Sequence, residues 1–206
     1  RNMIAEERGL PAAFDPEKNE NIRWQALIGD ETYGTPIVAA GRVLIGTNNA
    51  RPRDERRKGE RGVLMCLDEK DGSFLWQLIV PKLGGDPLRD WPSAGICSPP
   101  TVEGDRIYIV SNRGEVMCLD LDGQADGNDG PFLGEAALLA AKDEEPLALT
   151  PRDADIIWMF DLRNDAGVHQ HDSAHASILV HGRFLYLNTS NGVDSTHRKI
   201  AAPEAP

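Results

Sequence analysis

The sequence is poor in cysteine and in basic residues, and it has no long apolar run. Its three cysteines are too few for a disulfide scaffold. No segment reaches the ~18 consecutive apolar residues that predict a membrane-spanning helix. A P-loop, a nucleophile elbow and a dinucleotide-binding fingerprint are also missing. We therefore expect neither a disulfide-rich domain nor a membrane span. The sequence also contains none of these motifs for nucleotide binding or for a catalytic serine.

Basic residues are outnumbered by acidic ones. The 22 Lys and Arg residues against 33 Asp and Glu residues give a formal net charge of -11. Such a charge repels a phosphate backbone, so we expect no nucleic-acid partner. One basic run, from Arg51 to Lys58, is interleaved with acids and is predicted to be a solvated loop.

What the sequence does contain is a repeat. Three segments share it: VAAGRVLIGTNN, VEGDRIYIVSNR and LVHGRFLYLNTS, which begin at residues 38, 102 and 179. Arg42, Arg106 and Arg183 occupy equivalent positions in them. Cys66 and Cys118 follow at matching positions in the first two copies and are predicted to be small buried residues. Repetition of strands alone predicts a propeller or an array, and we predict an all-β propeller of four-stranded antiparallel blades.

Runs of β-branched and aromatic residues bounded by Gly, Pro and Asp define the predicted strands. The first full blade has predicted strands at 35–38, 42–47, 62–67 and 73–79, and the second at 98–102, 106–110, 115–119 and 156–161. Asn21 to Ile28 is predicted to be the last strand of a preceding blade. An insertion at 120–155 separates the last two strands of the second blade, and within it Glu135 to Lys142 has the composition of a short helix.

The repeats also predict a domain organisation. Residues 1–22 read as a polar lead-in, and residues 23–206 as an incomplete propeller domain. The domain contains two full blades plus parts of two others. Since a closed propeller needs about 4 to 8 blades, we expect the chain to be a segment of a larger propeller.

The second half of the repeat carries a resemblance to a known family. Leu67-Asp68-Glu-Lys-Asp-Gly72-Ser-Phe-Leu-Trp76 closely resembles the repeat of the PQQ-like (pyrroloquinoline quinone) β-propellers, in the quinoprotein alcohol dehydrogenase-like superfamily. That resemblance implies an eight-bladed propeller. The segments RNM, GTNN, GICSPP, GNDGPF and NTSNGVD are most similar to secreted bacterial members of unassigned activity.

Two functions are implied by the resemblance. The first is a non-catalytic binding or scaffolding module of a periplasmic or secreted bacterial protein, with a protein or small-molecule ligand at the propeller face. The alternative is an oxidoreductase that depends on PQQ and calcium. Family dehydrogenases hold the quinone beneath two adjacent cysteines, and this sequence has no Cys-Cys pair. PQQ is therefore not expected from this segment.

Three tryptophans are placed alike in the repeats: Trp24, Trp76 and Trp158. In the family, such tryptophans dock one blade onto the next. Burial of ring areas of about 150 to 250 Å² makes this a structural role worth several kcal/mol.

An aspartate- and glycine-rich segment begins the insertion. Its candidate calcium ligands are Asp120, Asp122, Asp126, Asn128 and Asp129. Calcium collects oxygen ligands from flexible loops of this kind. The alternative is a series of Asx turns, which the same residue types favour.

Alignment of the inner strands through their arginines places further residues at equivalent positions. Tyr33, Cys97, Ser98 and His175 then fall where inner strands begin and converge on the channel mouth. Trp91 and His171 lie on the connectors beside them. Cys97 and His175 could pair as nucleophile and base, whereas the alternative is an inert buried cysteine.

Three histidines lie close together in the sequence, at His169, His171 and His175. They could supply nitrogen ligands for zinc, copper or iron, which would allow a hydrolase or lyase as a third function. The alternative is a polar connector whose histidines bond to the backbone, and the spacing favours it because it matches no strong metal motif.

Overall fold

The computed structural model describes residues 8–84, 89–171, 174, 176–190, 196 and 198. Its strands are β1 (Ile37–Ala39), β2 (Arg42–Asn48), β3 (Arg61–Asp68), β4 (Phe74–Pro81), β5 (Thr101–Glu103), β6 (Arg106–Val110), β7 (Glu115–Asp120), β8 (Ile156–Asp161), β9 (Leu179–His181) and β10 (Phe184–Tyr186). Strands β1 to β4 and β5 to β8 form two antiparallel four-stranded sheets, and β9 pairs with β10. The predicted all-β architecture of propeller blades is confirmed.

The two complete blades repeat each other in register as well as in sequence. Arg42 pairs with Asp68 across β2 and β3, and Arg106 pairs with Asp120 across β6 and β7. Each blade then shifts register directly after its buried cysteine, Cys66 or Cys118. A register shift in a ladder bends the strand and increases its twist, so the same local twist is built into both blades.

Strand positions follow the sequence prediction closely, with one correction. The bounds of β6 and β8 are those predicted, and the other strands of the two complete blades differ by one to three residues at an end. Residues 21–28 were predicted to be a strand, and they form none. A strand requires a ladder partner, and no described residue pairs with this segment.

Helix is a minor component of the described residues. Helix α1 (Glu135–Leu138) is shorter than the predicted 135–142. Helix α2 (Leu162–Ala166) directly follows β8, where no helix was predicted. Asp161 caps its first turn, since its side chain accepts from the amides of Arg163 and Asn164. Neither helix has the length and apolar character that crossing a membrane requires.

The largest hydrophobic cluster lies between the two complete blades. It joins side chains of both sheets, including Trp76, Leu78 and Leu119, with Leu139 of the insertion. Cys66 and Cys118 are buried and form no disulfide. Burial raises the pKa of the Cys66 thiol to about 12 and that of Cys118 to about 11, so both remain neutral thiols at physiological pH, as small buried residues should.

Tryptophans make equivalent contacts at successive blade boundaries. The Trp24 indole Nε1 donates to the carbonyl of Glu69 at 2.9 Å, and the Trp76 Nε1 donates to the carbonyl of Leu121 at 3.0 Å. Glu69 and Leu121 directly follow the last residue of the third strand in their blades. Trp158 is half-buried and contacts Tyr108 at a ring-centroid distance of 6.3 Å.

A glycine of the next blade lies against each docked ring. A methyl group at Gly72 would come within 2.5 Å of the Trp24 ring, and one at Gly123 within 2.8 Å of the Trp76 ring. Both glycines also have left-handed backbone conformations, with φ of 73° and 61°. Glycine is therefore required here twice, for the turn and for the close approach of the indole.

The insertion between β7 and β8 packs against the first blade. The amide of Gln77 in β4 donates to the carbonyl of Arg152, and the amide of Ala154 donates to the carbonyl of Gln77, both at 2.9 Å. These bonds form a parallel bridge between Gln77 and Asp153. Strand β4 is the outer edge of its sheet, and covering such an edge protects it from pairing with other chains.

A second contact between the insertion and the first blade uses buried arginines. Arg57 and Arg61 are each 2% exposed, and both donate to the carbonyl of Leu139, at 3.2 and 3.3 Å. The Arg61 Nη2 also lies 2.6 Å from both carboxylate oxygens of Glu144. The prediction that Arg51 to Lys58 is simply a solvated loop is therefore wrong at Arg57, because the insertion covers that side chain.

Replacement of Trp76 by alanine should destabilise the protein by about 3–5 kcal/mol, the usual cost of deleting a buried aromatic ring. Trp76 is 1% exposed, whereas Trp91 is 48% exposed. Trp91→Ala should therefore change stability by no more than about 0.5 kcal/mol. Chemical denaturation of both variants measures the difference, and equal midpoints for Trp76→Ala and the wild type would refute the docking role.

Gly123→Ala should destabilise more than Gly41→Ala. Both positions have positive φ, which alone costs an alanine about 1 kcal/mol. Gly41 has open space around it, whereas Gly123 lies against the Trp76 ring. Only the Gly123 variant should also shift the fluorescence of the buried tryptophan. Thermal melts and emission spectra test this pair, and indistinguishable variants would contradict the proposed contact.

Candidate functional site

The segments predicted to meet at the channel mouth do lie side by side. Gly34 lies against the backbone of Cys97, since a methyl group on it would be 3.2 Å from the Cys97 carbonyl oxygen. The Ser98 Oγ donates to the carbonyl of Ala176 at 2.5 Å. Thr101 makes the same kind of bond to the carbonyl of Ile178. Successive blades are thus joined at the inner strands through small residues and hydroxyl groups.

The candidate side chains at this mouth differ in exposure. Tyr33 is 61% exposed and Trp91 is 48% exposed, whereas Cys97 and Ser98 are buried. The Tyr33 hydroxyl donates to Glu31 at 3.0 Å, and this hydrogen bond raises the pKa of the Tyr33 phenol. His175 lies outside the described residues. A shared pocket wall that includes His175 therefore stays a prediction, as does its pairing with Cys97.

The remaining histidines lie near the third repeat. His171 lines a cavity of about 200 Å³ together with Gln170 and Ala176. The backbone amide of His169 donates to the carbonyl of Ser190 at 3.1 Å. Neither Cys97 nor Tyr33 is among the described residues that line this cavity. The metal site predicted from the three histidines stays a prediction, because His175 is not described.

The candidate calcium ligands divide into two groups. Carboxylate oxygens of Asp120, Asp122 and Asp126 lie within 4.8 Å of one another. The other two candidates make contacts elsewhere: the Asn128 side chain donates to Glu135 at 3.0 Å, and the Asp129 amide donates to Asp155 at 3.0 Å. Three of the five predicted ligands are therefore close enough to share an ion.

Two arginines already neutralise part of that carboxylate group. Arg42 lies 2.6 Å from Asp122, and Arg106 lies 2.5 Å from Asp120. These are the equivalent arginines of the first two repeats, yet Arg42 reaches into the next blade whereas Arg106 contacts its own. Their charge weakens the attraction of the group for a cation. Calcium at this position stays a prediction.

Buried asparagines hold the loops that follow the second strands, at the opposite end of the blades from Asp120 and Asp122. The Asn48 Nδ2 donates to Asp30 Oδ1 at 2.6 Å and to the carbonyl of Ser93 at 2.8 Å. Asn112, at the equivalent position in the second blade, donates to Asp90 Oδ2 at 2.9 Å and to the carbonyl of Pro81 at 3.3 Å. Each asparagine thus joins the end of a second strand to a connector.

An ion pair between Lys82 and Asp90 fixes the connector to which Asn112 also donates. The Lys82 Nζ lies 2.5 Å from Asp90 Oδ1 and also donates to the carbonyls of Trp91 and Ala94, at 2.8 and 2.5 Å. Burial raises the pKa of the Asp90 carboxyl, and the bonds from Lys82 oppose that rise. Removal of either partner would leave an uncompensated buried charge.

The largest of the described cavities lies between these loops. It has a volume of about 530 Å³ and is lined by Asn48, Asn49, Arg61 and Lys82, among other polar residues. The lysine and the arginine already donate to carboxylates and carbonyls of the protein. Hydrogen bonds therefore hold the lysine and the arginine of this cleft in place.

A cluster that the sequence prediction missed lies where the insertion meets the first blade. The Arg53 Cζ is 4.9 Å and the Arg152 Cζ is 5.7 Å from the centroid of the Phe74 ring. Arg53 belongs to the loop between β2 and β3, whereas Arg152 belongs to the insertion. Nothing in the spacing of the sequence brings positions 53 and 152 together, because their proximity depends on how the insertion packs.

Comparison with known proteins adds one finding. No curated protein matched the sequence. A family model described as outer membrane protein assembly factor BamB matches residues 60–203, which is more than two thirds of the chain. The match spans the last two strands of the first blade, the second blade and the third hairpin. The chain belongs to this family of PQQ-repeat β-propellers.

Proposed function

We propose that this chain is part of a non-catalytic propeller that binds or scaffolds a protein partner. The observation that carries the proposal is that buried polar side chains fix the loops at one end of both blades. Asn48, Asn112 and the pair of Lys82 with Asp90 hold these loops in place. A surface that is ordered before binding loses little conformational entropy when a partner docks, and loops on a rigid scaffold commonly carry specificity.

The chemistry of the cysteines favours binding over thiol catalysis. The thiolate is the reactive form of cysteine, and burial holds the thiols of Cys66 and Cys118 neutral by raising their pKa values to about 12 and about 11. Cys97 is only 2% exposed. A substrate would have to displace packed core residues to reach any of the three.

The family description supports the class of partner and the location. It names a factor in the assembly of outer membrane proteins. On that basis we propose a protein partner and a periplasmic or secreted location for this chain. The net charge of -11 favours such a partner over nucleic acid.

Photo-crosslinking in cells that produce the intact protein tests the binding role. A benzophenone amino acid is introduced at Glu60, an exposed residue that lines the large cleft, or at Lys70, an exposed residue in the turn between β3 and β4. We expect one discrete protein adduct from position 60 and none from position 70. Absence of adducts from both positions, or the same adducts from both, would contradict a partner-binding face at the loop end.

Titration with quinone and calcium tests the alternative of a quinoprotein oxidoreductase. The purified intact protein is mixed with PQQ and calcium, and the visible spectrum, bound metal and dye-linked alcohol oxidation are measured. The scaffolding role predicts no stoichiometric quinone and no oxidation. Stoichiometric quinone with turnover would overturn it, and Asp126→Asn would then show whether the cluster of Asp120, Asp122 and Asp126 holds the calcium.

A further inference from the structure

The outer side of the first blade carries a cluster of exposed arginines around an aromatic ring. We define the arginine patch as Arg53, Arg56, Arg152 and Phe74, which together line a cavity of about 180 Å³. All three arginines are exposed, and Phe74 is half-buried. Arg53 and Arg152 both lie over the Phe74 ring. Stacking on a ring orders a guanidinium group and leaves its N–H donors available at the edge.

Most of the donors on this patch make no hydrogen bond to the described residues. Arg53 Nη2 donates to the carbonyl of Leu27 at 2.6 Å, and a guanidinium has five N–H groups. Arg152 makes no side-chain hydrogen bond or ion pair to any described residue. The Arg56 side chain, by contrast, donates two hydrogen bonds to the Asp54 carboxylate. Two ordered guanidinium groups therefore face solvent with spare donors.

The local charge is positive although the chain as a whole is acidic. The three arginines and the three carboxylates that line the cavity balance one another, and the buried Arg57 adds one positive charge. Behind the patch, the buried Arg57 lies 3.7 Å from Asp54 and 3.8 Å from Asp153, and its Nε and Nη2 make no hydrogen bond. Arg57 thus partly neutralises two of the three carboxylates that line the cavity, Asp54 and Asp153. An acidic ligand would be repelled by the rest of this chain and attracted here.

The pattern of charges identifies the kind of anion. Asp54, Glu55 and Asp153 line the same cavity as the arginines. A phosphate backbone or an anionic membrane presents continuous negative charge, which these three carboxylates would oppose. A carboxylate-rich polypeptide carries its charge on flexible side chains. It can therefore direct some carboxylates to Arg53 and Arg152, where each guanidinium can bind a carboxylate through two hydrogen bonds, and turn the others toward solvent.

We propose that the arginine patch is a docking surface for a carboxylate-rich polypeptide segment of a partner protein. The proposal rests on the binding role proposed above and assigns that role to a second surface, on the outer edge of the first blade. The insertion completes the surface by bringing Arg152 to Phe74. Binding there depends on salt, since the contacts are between exposed charges.

Fluorescence anisotropy with labelled decaglutamate tests the proposal on the intact protein. We expect binding at about 50 mM NaCl that weakens severalfold at about 300 mM NaCl, and no binding of labelled decalysine. Arg152→Glu should weaken decaglutamate binding by about tenfold or more, because it reverses a charge at a bidentate contact. Arg183→Glu is the matched control, since Arg183 is an exposed arginine of the third repeat, and it should change the affinity by less than about twofold.

Several outcomes would overturn the assignment. Equal affinities for decaglutamate in Arg152→Glu and Arg183→Glu, with unchanged thermal midpoints, would show that the arginine patch does not bind the peptide. Binding of phosphatidylglycerol vesicles in place of the peptide, with loss in Arg152→Glu, would assign the patch to a membrane surface instead. If decaglutamate fails to bind while the crosslink from position 60 persists, the patch is wrong and the scaffolding role stands.

Discussion

The contact between a fourth-strand tryptophan and the next blade is the interaction on which the rest of this structure depends. The two complete sheets share no strand ladder beyond one parallel bridge to the insertion, so contacts of side chains and loops set the angle between them. Trp76 supplies this packing with a buried ring, an indole bond to the Leu121 carbonyl and close contact with Gly123. Trp24 repeats the arrangement one blade earlier, on Glu69 and Gly72. The inner-strand contacts between blades depend on this fixed angle.

The insertion between β7 and β8 adds contacts at the boundary between the two complete blades, and it brings new side chains to the surface of the first blade. It pairs with Gln77 on the outer edge of the first blade and receives the buried side chains of Arg57 and Arg61 at the Leu139 carbonyl. An edge that could otherwise pair with other chains is thereby covered. The packing also carries Arg152 to Phe74. A long insertion in one repeat is thus both a structural element of the neighbouring blade and part of a candidate binding surface.

Local repetition explains which features the sequence could reveal. Strands β6 and β8 were predicted with their observed bounds because polar residues bound their apolar runs, Asp105 and Ser111 around β6 and Asp155 and Asp161 around that of β8. Asn48 and Asn112 can also be recognised as equivalent from the sequence, since each lies six residues after its repeat arginine. Their role in fixing the loops can be identified only from the structure. The contacts of Arg57 and Arg152 could not be predicted from the sequence, because they join segments about 80 or more residues apart and periodicity does not report such packing.

Hydrogen exchange of the tryptophan indole groups, followed by NMR, measures the blade contact most directly. The chain has four tryptophans, so their indole signals can be resolved and assigned by substitution. The account predicts that the Trp76 indole proton exchanges as slowly as the backbone amide of Gln77, while the exposed Trp91 indole exchanges at once. Equally rapid exchange of the Trp76 and Trp91 indole protons would contradict a tryptophan-docked propeller.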